Sequence, residues 1–261
     1  MLTAYAMEIV TALSAFVASF LSGLLGIGGG VVITPLLLYV PPVVGAGILP
    51  VKIVTGLTIV QAISGSALGA LRHRSYGNMS TRLVLTMGPA SAAASLVGAI
   101  VSRNTDDRVL LGIFAALSFV TAVLLLLPAD PQDTGVDELD VNVPLAVGIA
   151  VVLGFAGGMV GIGGIATIIA ALIYLLRVPT RIAIGTSLGI GMFAAVAALI
   201  GKAATAQIDP PLATVVFVVA LVASPIGAWL SMRTQPRVLT SILAFVVILA
   251  AARIAWSAVF G

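Results

Sequence analysis

Two glycine clusters are the residues of this chain best suited to chemistry. Gly26-Ile27-Gly28-Gly29-Gly30 and Gly161-Ile162-Gly163-Gly164-Ile165 each sit inside apolar sequence. Glycine contributes no side chain, so the chemistry on offer is that of the backbone. Closely spaced N–H groups, with the positive end of a helix that restarts after the break, bind an oxyanion without a charged side chain. Gly28, Gly29, Gly30, Gly163 and Gly164 are therefore candidate substrate-binding residues. The competing reading is close helix packing through small residues, which suits Gly65-x-x-x-Gly69 and Gly154-x-x-x-Gly158 better.

Hydroxyl and amide groups form a second rank. Thr34, Thr58, Gln61, Ser64, Thr186 and Ser187 lie within or beside apolar runs, where an unpaired polar group is expensive. Each must bond a neighbouring helix, its own helix or a substrate in transit. Lys52 and Arg181 open two corresponding segments and are candidate funnel charges, with snorkelling anchors as the competing reading. His73 is the only histidine and stands between Arg72 and Arg74 in an expected loop.

The acids are informative by position. Of nine, Asp106, Asp107, Asp209 and five between residues 130 and 140 fall between segments, leaving Glu8 near the end of an apolar stretch. A cation pathway or carboxylate proton relay normally leaves buried acids. Their absence points to an anion that carries its own proton, or to a passive facilitator. Gly185-Thr186-Ser187-Leu188-Gly189 spells G-x-S-x-G, which raises an intramembrane serine hydrolase as an alternative. No strand precedes Ser187 and the one histidine belongs to the other half, so the chain does not read as an enzyme.

What positions these residues must be a set of membrane helices. With 61% hydrophobic and 8% charged residues in 261 positions, a soluble single-core domain is excluded, and the chain reads as an all-α polytopic membrane protein. The net charge of +3 is spread singly between apolar runs, which argues against nucleic acid as a partner. The chain has no cysteine, so thiolate metal sites and disulfides are out, and no cofactor or metal is called for. The expected partners are a small anionic substrate and membrane lipid, with a homo-oligomer compatible. The first segment lacks a basic leader before Lys52 and is read as mature structure rather than a signal peptide.

Apolar segments fall at roughly 7–22, 31–40, 52–71, 83–101, 109–127, 144–156, 165–176, 182–201, 212–231 and 238–257. They form two sets of five. In each set the two arms around the glycine cluster look short and the other three look long enough to span. The sets also align: Gly26 to Gly161 and Gly28 to Gly163 are offset by 135. Pro50 to Pro179, Lys52 to Arg181, Gly56 to Gly185, Gly98 to Gly227, Ser102 to Ser231 and Arg108 to Arg237 are offset by 129. A six-residue insertion near Pro41, Pro42, Gly45 and Gly47 accounts for the change.

Parity then sets the topology. Two hairpin arms return to the side they left and three spanning helices do not, so the halves are expected to be inverted repeats with a midplane site between them. The organisation is a first repeat over 1–128, an acidic, solvated linker over 129–143 and a second repeat over 144–261. With the N-terminus outside, Arg72, Arg74, Arg82, Arg177, Arg181, Arg233 and Arg237 lie inside, and Lys52, Arg103, Arg108, Lys202 and Arg253 outside. Seven against five barely orients the chain.

The string Ser22-Gly23-Leu24-Leu25-Gly26-Ile27-Gly28-Gly29-Gly30, then Pro35, then Arg72-His73-Arg74 with Gly77-Asn78, resembles the TauE/SafE sulfite-exporter family. So do Gly161-Ile162-Gly163-Gly164 and Ala183-Ile184-Gly185-Thr186-Ser187-Leu188 in the second half. The resemblance covers nearly the whole chain. It implies a multi-pass permease of the prokaryotic cell membrane that moves sulfite, sulfonates or related small sulfur-containing anions, usually outward. The alternative outside transport and catalysis is a membrane scaffold. Ile165 stands where Gly30 stands and Ala170 where Pro35 stands, so the first hairpin is expected to approach the substrate more closely.

Overall fold

The computed structural model describes residues 5–25, 30–126, 135–136, 139–162, 164–231 and 245. These form helices α1 (Ala6–Leu25), α2 (Gly30–Val43), α3 (Val51–Ser75), α4 (Thr81–Val101), α5 (Asp107–Leu126), α6 (Val143–Val160), α7 (Ile165–Tyr174), α8 (Thr180–Ala204) and α9 (Pro210–Ser231). Among the described residues there is no strand. Seven of the helices are long and apolar enough to cross a membrane: α1, α3, α4, α5, α6, α8 and α9. The protein is a multi-pass, all-α membrane protein. The tenth expected segment, 238–257, lies outside the described residues apart from Phe245.

α1 and α6 are longer than their sequence suggests. α1 has 20 residues and α6 has 18, about 30 and 27 Å of helix, so only α2 and α7 are short. Glycines read as packing positions explain the length of α6. Gly154 and Gly158 stay helical because they lie against Ser91 and Ser95 of α4, at distances no side chain could share. α6 therefore runs on to Val160, and Gly161, at φ 82°, ends it in the left-handed conformation that only glycine adopts freely.

α3 and α8 are the inner pair. They run antiparallel, with Gly56 against the Gln207 carbonyl, Gly69 against Leu188, and Gly185 against His73 and the Asn78 carbonyl. α1 packs along α9 and α4 along both α6 and α8. The outer helices turn Phe16, Leu85, Val97, Phe119, Val152, Phe217 and Leu221 outward, as a lipid-facing surface does. The buried core is largely aliphatic, built around Ile33, Leu37, Leu57, Met87, Ile165, Ile168 and Leu172.

Several contacts recur with the halves exchanged. Gly98 lies against the carbonyl of Phe155, and Gly227, 129 residues on, lies against that of Phe20, 135 residues earlier than Phe155. Gly56 on Gln207 and Gly185 on Asn78 are a second such pair. The helix ends repeat as well. The Asn78 N–H donates to the His73 carbonyl at 2.9 Å, and the Gln207 N–H to the Lys202 carbonyl at 2.9 Å. Gly77 and Ala206 hold the left-handed position at φ 68° and 54°.

The linker is less solvated than its acids suggest. Leu139 is buried, and Val136 and Val141 pack against the same core. With Met79, Arg82 and Leu83 at the start of α4 they line a small cavity. Among the described linker residues, Val136, Leu139 and Val141 thus lie against the start of α4, a pattern that the charge count concealed.

Candidate functional site

The start of α2 meets the chain just after the end of α6. A Cβ on Gly30, the first residue of α2, would come within 2.8 Å of the Ile162 Cα in the other cluster, so glycine is required there by close approach. One turn into α2, Thr34 donates to the Gly30 carbonyl at 2.8 Å, and its hydroxyl lies 3.2 Å from that of Thr58 on α3. Thr58 donates to Val54 at 2.8 Å and Ser64 to Val60 at 3.2 Å, the bond to their own helix expected of such residues.

Gln61 continues this strip one turn along α3 from Thr58. It is fully buried; its Nε2 donates to the Ser19 hydroxyl at 3.3 Å, and its Oε1 has no partner. A buried amide left half-satisfied costs about 1–3 kcal/mol. Its retention here sets it apart from Thr34 and Thr58, whose hydroxyls are satisfied within the protein.

On the second hairpin Gly164 caps the start of α7 at φ 65°, with no side chain bonding the first-turn amides. Gly161 rests on the carbonyl of Thr55. Gly28, Gly29 and Gly163 lie outside the described residues, so the amide cradle expected of them has Gly30 and Gly164 as its described members.

Thr186 and Ser187 do not join this group. Thr186 accepts the Ser80 N–H at 3.0 Å and Ser187 donates to its own helix at Ile184, 2.8 Å away. Both sit in the first turns of α8 beside the far end of α3, and from Thr58 to His73 that helix rises about 22 Å. Ser187 is mid-helix rather than on a strand-to-helix turn, so the G-x-S-x-G string lacks the geometry of a nucleophile elbow. Lys52 donates to the Arg103 carbonyl at 2.7 Å, and Arg181 is exposed on the first turn of α8.

The residue missed by sequence reasoning is Lys202. Grouped with the outer basic residues, it is instead completely buried, near the end of α8. Its Nζ donates to Thr55 Oγ1 at 2.9 Å, Ser102 Oγ at 2.7 Å, the Met159 carbonyl at 3.0 Å and Gln207 Oε1 at 2.8 Å. Gln207 is held in turn by donating to the Ala99 carbonyl at 3.1 Å and Thr205 Oγ1 at 2.7 Å. The available signals were Gly201 beside the lysine, a small residue in an apolar helix, and the repeat itself: at an offset of 129, Lys202 and Gln207 match His73 and Asn78.

Among the described residues no Asp or Glu is buried and no group of acids, histidines or cysteines could hold a metal. The candidate site is therefore built from backbone amides, hydroxyls, the buried amide side chains of Gln61 and Gln207 and one buried ammonium. Such a set suits an anion, since every group but the carbonyls can donate or is positive.

The family model described as Sulfite exporter TauE/SafE matches residues 11–254. A probable membrane transporter protein of Xylella fastidiosa is 30% identical over 197 residues, covering 73% of this chain and 72% of its own. The probable membrane transporter protein YunE of Bacillus subtilis is 24% identical over 263 residues, covering 94% and 96%. MJ0441 of Methanocaldococcus jannaschii, also a probable membrane transporter protein, is 22% identical over 85% of both chains. No solved structure matches. With the match running through both glycine clusters and all the described helices, the chain belongs to the TauE/SafE sulfite exporter family.

Proposed function

We infer that this membrane transporter is a permease of the cell membrane for small sulfur-containing oxyanions such as sulfite or sulfonates, bound near the midplane where the two hairpins meet. The observation that carries this reading is the half-satisfied side-chain amide of Gln61, its Oε1 without a partner, fully buried on the strip that leads from Gly30 through Thr34 and Thr58. An amide turned about its last torsion lets Oε1 accept from the Ser19 hydroxyl while both N–H groups face the substrate. Together with the main chain at Gly30 and Gly164 this offers neutral donors to an oxyanion. A neutral donor set binds and releases readily, which suits transport better than a tight ion pair. The absence of a buried carboxylate among the described residues leaves the anion unopposed.

The same reading takes the halves as inverted-topology repeats that rock about the site to open one face at a time. Its support is the exchange of contacts between halves: Gly98 with Phe155 against Gly227 with Phe20, and Gly56 with Gln207 against Gly185 with Asn78. Catalysis has no counterpart in this arrangement, because Ser187 bonds its own helix.

The test is uptake of labelled sulfite, sulfate, thiosulfate and sulfoacetate by proteoliposomes containing the purified protein. Saturable uptake of at least one, competed by the others according to size, is expected. Absence of uptake and of binding for all four would overturn the reading.

A further inference from the structure

Lys202 brings a positive charge to a place that the donor strip does not explain. Its Nζ is enclosed by oxygens of both halves, Thr55 and Ser102 from the first and Met159 and Gln207 from the second. An ammonium has three protons, so four oxygens within 3.0 Å complete its hydrogen bonding. They do not complete its charge. None belongs to a carboxylate, and no acid is buried among the described residues. Lys52, three residues before Thr55 and tied to the Arg103 carbonyl, adds charge of the same sign nearby.

The ends of two helices supply part of the compensation. Met159 is the penultimate residue of α6 and Ser102 follows α4, so both turn the negative end of a helix toward the ammonium. A purely structural tie at this place needs no net charge, since neutral or apolar replacements of buried ionic groups commonly fold as well. What the charge does have is a neighbour. Met159 stands two residues before Gly161, and Gly161 rests on the carbonyl of Thr55. Two of the groups holding the ammonium therefore abut the break of the second hairpin. In low-dielectric surroundings a charge acts over several ångströms with little screening.

We propose that Lys202 is the fixed counter-charge of the transported anion, a positioning residue that sets a positive potential at the second hairpin and makes the loaded site electroneutral without touching the substrate. This rests on the anion-transport reading and deepens it by naming the charge class. The preferred ligand is a small monoanion with an oxyanion head, and neutral molecules of the same shape are rejected.

The experiment measures KM and Vmax for hydrogensulfite and methanesulfonate uptake, both monoanions, in proteoliposomes carrying Lys202→Gln or Gln207→Glu. Lys202→Gln removes the charge and keeps a hydrogen-bonding group. Gln207→Glu keeps the ammonium and pairs it with a carboxylate. Both are expected to raise KM about tenfold or more with Vmax within about threefold, since an interaction made equally in the bound ground state and in transit has been lost. A structural tie predicts the opposite for Gln207→Glu, where an ion pair replaces a neutral contact. Either variant at normal abundance with KM unchanged overturns the inference, as does failure of both to accumulate. Wild-type protein that takes up neither anion would instead sink the transport reading itself.

Discussion

Gly98 of α4 lies against the main-chain carbonyl of Phe155 on α6, leaving no volume for even a methyl group. The obstacle is backbone, which cannot swing aside as a long side chain can. Gly98→Ala is therefore expected to destabilise the protein by about 1–3 kcal/mol through overpacking. Gly112→Ala on α5, where nothing lies within 4 Å, is the control and is expected to be neutral or mildly stabilising. Thermal unfolding in detergent distinguishes them, and equal loss in both would contradict the packing.

Gln61→Leu separates function from folding. The leucine removes the unpaired Oε1 and, with it, the bond from Nε2 to the Ser19 hydroxyl, so stability is expected to change by no more than about 1 kcal/mol. Sulfite uptake is expected to fall about tenfold or more at equal protein level, as a substrate contact is lost. Normal uptake would remove Gln61 from the site.

The left-handed glycines allow a matched comparison. Gly164 (φ 65°) begins α7 beside the meeting of the hairpins, whereas Gly45 (φ 71°) lies in open space after α2. Alanine at either costs about 1–2 kcal/mol of backbone strain. Only Gly164→Ala is expected to slow uptake beyond what its abundance explains.

Thr186→Val tests the role that the structure gives a residue expected to bind substrate. Its hydroxyl accepts the Ser80 N–H, and losing it strands a buried donor at the start of α4. A loss of about 1–3 kcal/mol is expected, with KM for sulfite unchanged. A raised KM at normal stability would return Thr186 to the site.

Much of this was written plainly in the sequence. Charge-free runs bounded by Pro50, Ser80 and Pro179 located α3, α4 and α8 to within a few residues. Thr34, Thr58 and Gly30 were singled out by type and do come together. Where the reading failed, the cause was a partner far along the chain. Gly154 and Gly158 were legible as packing glycines and do lie against α4, but Thr186 looks like a ligand until Ser80 is placed beside it. Lys202 is the sharpest case: a lysine close to a helix end ordinarily snorkels. Only the convergence of Thr55, Ser102, Met159 and Gln207 from four places in the chain shows that it points inward.

The pairing of α1 with α9 has a consequence for how the protein comes into being. Helices enter a bilayer in the order in which they are synthesised, so α1 arrives with its principal neighbour some two hundred residues from being made. Until α9 follows, the stretch of α1 around Phe20 and Leu24, against which Gly227 of α9 packs in the finished protein, must be tolerated by lipid or by the insertion machinery. The contact that closes the bundle onto its first helix is thus made only after every other described helix has been synthesised.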